Sequence, residues 1–289
     1  ARLIEEKSGA YTLTQVRRQK VKWMQDASKL LNAHQVEEGL RKYQEQERLQ
    51  FHDSLDGAKW GIVADYLNGI EEDAKASRVI LTFRNSEAKE INAAIRERLK
   101  DKGLLGREFE MVLKDTESVS GVKTLRLAVG ERIFFTVNDA TEWHVKTLKA
   151  NGSVGQGVRN GTPGIIEDYD EKRKTMKVRL EDGRLVGFET RSYSSLTYGY
   201  AMTINKAEGK TYTYSHVLFD PLMNANSLLI AMTRHERDCQ VRISRTHAQD
   251  LKEMVQATER GSYRGVLSDY TIASEDKRWF DLAQSYAHK

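Results

Sequence analysis

Apolar residues recur close to every 3.6 positions between residues 12 and 75, a spacing that predicts helices. In VRRQKVKWMQDASKLLN, Val16, Trp23, Ala27, Leu30 and Leu31 fall on one side. In AKWGIVADYLNGI, Trp60, Val63, Leu67 and Ile70 stand at i, i+3, i+7 and i+10, which predicts a second stripe facing a core. The stretch between them, EEGLRKYQEQERL, is charged and is expected to lie exposed. At residue 78 the pattern changes. RVILTF is a short apolar run of the β type, and SEAKEINAAIRERLKDKG after it (86–103) predicts a helix with Ser86 as N-cap, Glu87 and Glu90 in the first turns and Gly103 past the end. A strand leading at once into a helix is half of an α/β unit.

From about 107 to 198 the period shortens to two. EFEMVL, TLRLAV, RIFFTV, GIIEDY, TMKVRL and RLVGFET are short alternating runs, and VRNGTPG and LEDGRL carry the Asn-Gly and Asp-Gly signals of hairpin turns. Half a dozen short strands at this spacing predict a small barrel of SH3-like size. After 198 the α/β texture returns: YGYAMTINKAEG as a short strand into a turn, YSHVLFD as a buried strand, NANSLLIAMTRHER as a helix capped by Asn224 or Asn226, CQVRIS as a strand and THAQDLKEMVQAT as a helix. The fold class expected is therefore α/β: a parallel-sheet domain interrupted by a small all-β barrel, with a helical N-terminal segment. The expected boundaries are 1–112 and 198–259 for the two parts of the α/β domain and 113–197 for the barrel. Residues 260–289 are read as a surface helix or loose end.

Composition narrows the function classes. The 289 residues are 39% hydrophobic and 30% charged, a globular balance. No apolar run approaches the roughly 18 to 20 residues that span a bilayer, and the N-terminus lacks a signal-peptide core, so no membrane partner is expected. A single cysteine, Cys239, excludes a disulfide framework and suits the cytoplasm; in an alternating run it reads as a small buried apolar residue. Seven scattered histidines form no metal-binding spacing, so no metal site is expected. A net charge of +4 permits nucleic acid without arguing strongly for it.

One short stretch suggests nucleotide chemistry. Gly209-Lys210-Thr211 is the tail of a phosphate-cradling loop, but that loop needs Gly-x-x-x-x-Gly-Lys-Ser/Thr, and the residue five before Gly209 is Ile204. INKAE (204–208) contains no glycine to let successive backbone N–H groups wrap a phosphate. Asp220, after HVLF, is a weak candidate for a Mg²⁺ carboxylate. Taken alone, the stretch is a turn.

Its neighbours change that reading. YGYAMTINKAEGKTY resembles motif V of superfamily-one helicases (Thr-x-His-Lys-Ser/Ala-Gln-Gly-x-Thr/Glu), and SLLIAMTRHERDCQVRI resembles motif VI (Val/Ile-Ala-Met/Leu-Thr/Ser-Arg). LTQVRRQ (13–19) resembles motif IV of the RecD-like branch. LTFRNSEAKEINAAIRERL and GERIFFTVND…GVRNGTPGIIEDYD…VRLEDGRLVGFE are similar to that branch's strand-helix segment and its inserted SH3-like barrel. Five segments in order cover nearly the whole chain. Within the branch, the sequence resembles the helicase part of TraA-type conjugative relaxases.

The resemblance implies the second of two RecA-like domains, with ATP in the cleft between them. The phosphate loop and the Mg²⁺-binding acids belong to the first domain and have no counterpart here. The chain, which starts on Ala1, is accordingly expected to be a part that uses ATP and Mg²⁺ only together with that first domain and that hydrolyses nothing alone. Arg18 and Arg234 match the arginines that reach the γ-phosphate, a role suited to a planar, permanently charged fork. Gln19 braces that site, and Gly209 allows close backbone approach to the nucleotide. Arg17 takes a place where relatives stack an aromatic on adenine. Thr203, Asn205 and Lys206 of motif V, Thr82 and Arg84 at a strand end, and Arg159 and Asn160 in the barrel hairpin are the DNA-binding candidates, with Trp143 as a stacking candidate. Asn205 and Glu208 replace the usual His and Gln, and a carboxylate repels phosphate. Thr211 matches the relaxase-type Thr, and Lys210 is expected to be solvated. The implied partners are single-stranded DNA, the first helicase domain of the same protein and conjugation machinery. The competing reading is a degenerate, non-enzymatic helicase-like module serving as an interaction platform.

Overall fold

The computed structural model describes residues 18–114, 122–149 and 157–262. Val16 and Arg17, and the expected surface helix or loose end past residue 262, lie outside the described residues. Helices α1 (Lys22–Asn32) and α2 (Val36–Glu45) lead into strand β1 (Leu49–His52), followed by α3 (Leu55–Glu72), β2 (Arg78–Thr82) and α4 (Asn85–Asp101). Eight strands then run in succession: β3 (Glu108–Lys114), β4 (Val122–Ala128), β5 (Arg132–Phe135), β6 (Lys146–Lys149), β7 (Pro163–Asp170), β8 (Thr175–Leu180), β9 (Leu185–Glu189) and β10 (Leu196–Tyr198). The chain closes with β11 (Ala201–Thr203), a 3₁₀ turn at Ile204–Ala207, β12 (Tyr212–Leu218), α5 (Ala225–Met232), β13 (His235–Ser244) and α6 (Leu251–Ser262).

The order of strands shows the interruption. One five-stranded sheet runs β1-β13-β12-β2-β11, every pairing parallel. Its members come from before and after the run β3 to β10, which forms a separate six-stranded antiparallel sheet, β10-β5-β7-β8-β9-β6, beside the hairpin β3-β4. All residues of β2 are buried, as a strand covered on both faces requires. One face carries Leu40, Tyr43, Val217, Val241 and Leu228, with α1, α2, α5 and α6. The other carries Ile62, Tyr66, Ile91 and Ile80, with α3 and α4. The third core lies within the β-rich insertion and includes Phe109 and Met111, so the expected junction at 112/113 falls inside a strand that packs with the insertion.

The inserted sheet is fastened to α4 through buried charge. Arg96 Nε donates to Glu131 at 3.0 Å and its Nη2 to Glu108 at 2.5 Å, while the Tyr200 hydroxyl donates to Glu131 at 2.6 Å. Glu131 is fully buried.

Four expectations need correction. Trp60 is 53% exposed and lies under the Arg98 guanidinium, because α3 turns Ala58, Ile62 and Tyr66 inward. EEGLRKYQEQERL is not simply an exposed stretch: Val36, Leu40 and Tyr43 form an inward stripe on α2, and LQFH after it is the edge strand β1. Ser86 lies within α4; Arg84 is the cap residue, and its N–H donates to Glu87 at 3.3 Å. The helix begun at Asn224, whose side chain accepts from Ser227 N–H at 2.8 Å, stops at Met232, so Arg234 stands at a helix-to-strand junction. Cys239 is buried, as its alternating run predicts.

Candidate functional site

The register fixes two edges of the parallel sheet. Tyr212 pairs with His235, so Thr211 and Arg234 lie where β12 and β13 begin. Thr203 pairs with Thr82, so both lie where β11 and β2 end, the opposite edge. A strand the length of β12 separates these edges by about 20 Å. The motif V segment from Thr203 to Thr211 runs from one to the other.

The first edge gathers cations. Arg18 donates from Nε to the Thr211 hydroxyl at 2.8 Å and from Nη1 to the Thr233 carbonyl at 2.6 Å. Arg234 donates from Nε to the Ile230 carbonyl at 2.9 Å and from Nη2 to the Thr233 hydroxyl at 3.2 Å. Gln19, 2% exposed, donates its amide to the carbonyls of Thr233 and His235, both at 3.2 Å, which ties the Arg18 segment to the junction. Burial first, and then the charge of Arg18, push Arg234 down to about 10, while Glu208 and Tyr212 act in the other direction. Burial lowers Arg18 as well. Among the described residues neither arginine forms an ion pair, so two guanidinium groups share Thr233 without a carboxylate between them. Gly209 lies in the exposed turn just before Thr211, at φ +77°, a conformation that favours glycine. This edge can receive an anion, because each fork still holds N–H donors beyond those engaged.

The second edge is more mixed. Arg84 is half-exposed, but its Nε donates to the buried Asp220 carboxylate at 2.6 Å, and that partner balances much of its charge. Asp220 also accepts from Leu222 N–H at 2.8 Å, so the carboxylate weighed for Mg²⁺ holds a turn instead. Thr82 departs from its expected role as a direct DNA contact. It is fully buried, and its hydroxyl donates to the Arg84 carbonyl at 2.9 Å, which makes it a support for the Arg84 turn. Thr203 is half-buried, and Asn205 and Lys206 are exposed.

Lys210 is not the solvated side chain expected from sequence. It is half-buried, its ammonium lies 5.9 Å from the Phe134 ring centroid and donates to the Lys206 carbonyl, and a side chain on Gly161 would collide with it. Burial, and secondarily the charge of Lys206, lowers its pKa. Lys210 thereby fastens motif V to the turn that carries Arg159 and Asn160. The side chains of those two residues are exposed, while their N–H groups donate to Thr162 Oγ1 (2.9 Å) and Asn138 Oδ1 (2.7 Å). Of the expected residues, Arg18, Gln19, Gly209 and Arg234 gather at one edge, Thr82, Arg84 and Thr203 at the other. Asn205 and Lys206 lie in the connection, and Arg159 and Asn160 sit beside it on the insertion. Sequence reasoning missed Thr233 as the shared hub. Its place next to Arg234 was the only local signal.

No protein-family model matches the chain. Over 238 residues, 82% of its length, it is 27% identical to a probable conjugal transfer protein TraA of Sinorhizobium fredii. Over 243 residues it is 28% identical to conjugal transfer protein TraA of Agrobacterium fabrum. The chain is related in sequence to TraA conjugal transfer proteins. It spans 20% of the length of each of these relatives. Among solved structures, Pif1 helicase from Bacteroides in complex with ADP-AlF3 and ssDNA aligns at a TM-score of 0.50 and 18% identity, over 81% of this chain and 52% of that one. The same helicase bound to ssDNA aligns equally. The fold is that of a RecA-like helicase domain with separate antiparallel sheets. Among the described residues, no helix is long and apolar enough to cross a membrane.

Proposed function

We propose that the chain is the second RecA-like domain of an ATP-dependent DNA helicase within a conjugative relaxase-helicase, interrupted by an SH3-like barrel and followed from about residue 260 by a C-terminal extension. Arg18 and Arg234 reach the γ-phosphate of an ATP·Mg²⁺ held by the first helicase domain of the same protein. Single-stranded DNA lies along Thr203, Asn205 and Lys206, and extends past Arg84 toward Arg159 and Asn160. The carrying observation is the pair of guanidinium groups converging on Thr233, neither of them in an ion pair among the described residues, an arrangement that an arriving phosphate stabilises. Gln19 and Gly209 shape that edge, and Thr82 supports Arg84.

Arginines that meet the charge of a transferring phosphoryl group are worth about 10³ to 10⁵ in rate. In the full-length protein, R234A is expected to abolish DNA-stimulated ATP hydrolysis while nucleotide binding persists. Unchanged hydrolysis would sink the assignment. The non-enzymatic alternative draws on Asn205 and Glu208: Glu208 is near enough to Arg234 to raise its pKa, so a carboxylate already touches the field of the anion site. A wild-type full-length protein that binds DNA but never hydrolyses ATP would favour that alternative.

A further inference from the structure

The loop between β5 and β6 is built with unusual firmness around one exposed tryptophan. Asp139 is 6% exposed, and its carboxylate accepts three successive backbone N–H groups, from Trp143 at 3.0 Å, His144 at 2.7 Å and Val145 at 2.6 Å. Its own backbone pairs in both directions with Val158, at 2.8 and 3.1 Å. The loop enters at Val137, whose carbonyl accepts from the buried Tyr193 hydroxyl at 2.7 Å, and leaves at Val145, fully buried in the core of the insertion. Glu142 takes a left-handed backbone conformation, and its carboxylate accepts from the Thr147 hydroxyl. A loop anchored at both ends and cross-braced by a buried carboxylate still leaves the Trp143 side chain 75% exposed. Trp60, the other well-exposed tryptophan among the described residues, has the Arg98 cation over its ring; among those residues none covers Trp143.

The position of this loop suggests its occupant. Asn138 holds the N–H of Asn160, so the loop is bonded to the turn that carries Arg159 and Asn160. That turn packs on Lys210, which is bonded in turn to Lys206. A continuous chain of contacts therefore leads from motif V across the insertion to the loop that carries Trp143, and His144 and Lys146, close to it in sequence, are also exposed. Basic groups that follow a backbone, interleaved with an exposed aromatic face, form the arrangement that grips single-stranded nucleic acid without reading its sequence.

We propose that residues 136–145 form a base-stacking platform, in which Trp143 takes one unpaired base of the DNA strand whose phosphates pass Lys206 and Arg159. The proposal rests on the strand path given above and extends it onto the insertion. Preorganisation by Asp139 means that no loop needs ordering on binding, which favours affinity.

The test is titration of this chain with labelled oligo-dT, read by anisotropy at several salt concentrations, together with tryptophan fluorescence. W143A is expected to weaken binding by about tenfold with the salt slope unchanged, because stacking carries no counterion release. W143F keeps most of the affinity but loses the fluorescence quench, and an oligonucleotide of abasic sites binds W143A and the wild type alike. R159A instead lowers the slope by about 0.7. Wild-type binding that W143A leaves intact overturns the platform while sparing the strand path, and would turn the exposed ring toward a protein partner. Absence of salt-dependent binding by the wild type overturns both.

Discussion

Replacing Arg234 by methionine separates function from stability. Arg234 is 9% exposed, and burial together with the charge of Arg18 pushes its guanidinium down to about 10. At about 1.4 kcal/mol per pH unit, keeping it charged in the fold costs roughly 3 kcal/mol. The sign follows from proton counting: below the depressed value both folded and unfolded arginines are protonated, so the cost is fully present at neutral pH, and it fades only as pH rises past about 10. Methionine removes the charge and keeps most of the stem that packs at the junction. Against that gain, the Ile230 carbonyl loses its donor, a loss of about 1–3 kcal/mol for a buried acceptor. The net expectation for R234M is a stability change between zero and about +2 kcal/mol, and at about 2–4 °C per kcal/mol for a domain of this size, a melting temperature unchanged or raised by a few degrees. Activity should move the opposite way, with DNA-stimulated ATP hydrolysis of the full-length protein falling by about 10³ to 10⁵. R234K is not expected to rescue it, because a point ammonium cannot reproduce the planar fork. Calorimetry and a phosphate-release assay on the same variants decide the matter. A melting temperature lowered by more than about 5 °C, with hydrolysis reduced only in proportion to the unfolded fraction, would show that Arg234 holds the junction together and would refute the phosphate role.

Acid sensitivity offers a second check. His216 is pushed down to about 3 by burial and then by Arg78 and Arg242, and His235 likewise by burial and then by Arg18, whereas the unfolded chain protonates near pH 6.5. Stability is therefore complete above about pH 6.5 and drains as pH falls toward 3. H216L should flatten the profile of denaturant midpoints by about 1.4 kcal/mol per pH unit between roughly pH 6 and 4, and an unaltered slope would contradict a buried neutral imidazole. R96A strands the buried Glu131 and should lower stability by about 3–5 kcal/mol in urea unfolding; a loss below about 1 kcal/mol would mean that water reaches the carboxylate. G161A meets both a left-handed backbone (φ +76°) and the Lys210 side chain, so a loss of about 1–2 kcal/mol from the backbone alone should grow by the cost of expelling Lys210. If G161A and K210A add without coupling in a double-mutant cycle, the two residues do not pack together.

The architecture was readable where periodicity is long and unambiguous. Period-two runs from 107 to 198 and the α/β texture on both sides were enough to foresee a sheet interrupted by another. Asp182-Gly183 marked the hairpin between β8 and β9, with the glycine at φ +84°, whereas Asn160-Gly161 is a turn whose two flanks, Val158 and Pro163, both pair with the segment of β5, at Asp139 and Phe134, and not with each other. What escaped was decided by packing between elements distant in sequence. LQFH looks like the frayed end of a charged helix, and it becomes a strand only because β13 offers Val241 to Ser244 as a parallel partner. Trp60 matches a helical stripe, yet its burial depends on which side of α3 the sheet occupies. At the site, the arginines were visible through their motifs. Thr233 was not, because its importance comes from a carbonyl and a hydroxyl that two remote side chains happen to share.

The connection from Thr203 to Thr211 draws these observations together. Its start is set by the pairing of β11 with β2, and its end by the bond from Arg18. Between them the 3₁₀ turn buries Ile204 and Ala207 in the main core, and Lys210 is pinned against Phe134 and Gly161 of the insertion. Such a segment has little slack. If a phosphate draws Arg18 away from the Thr211 hydroxyl, the displacement is not lost in a floppy loop, because the buried 3₁₀ turn and the Lys210 clamp lie within a few residues. Under the proposed function it would pass along Asn205 and Lys206 in the connection toward Thr203 at the opposite edge, and through Lys210 to the turn bearing Arg159 and Asn160. The stretch that first resembles a failed nucleotide loop thus has the form of a short, packed link, with the Arg18 and Arg234 guanidinium groups at one end and the exposed Asn205 and Lys206 between its buried positions.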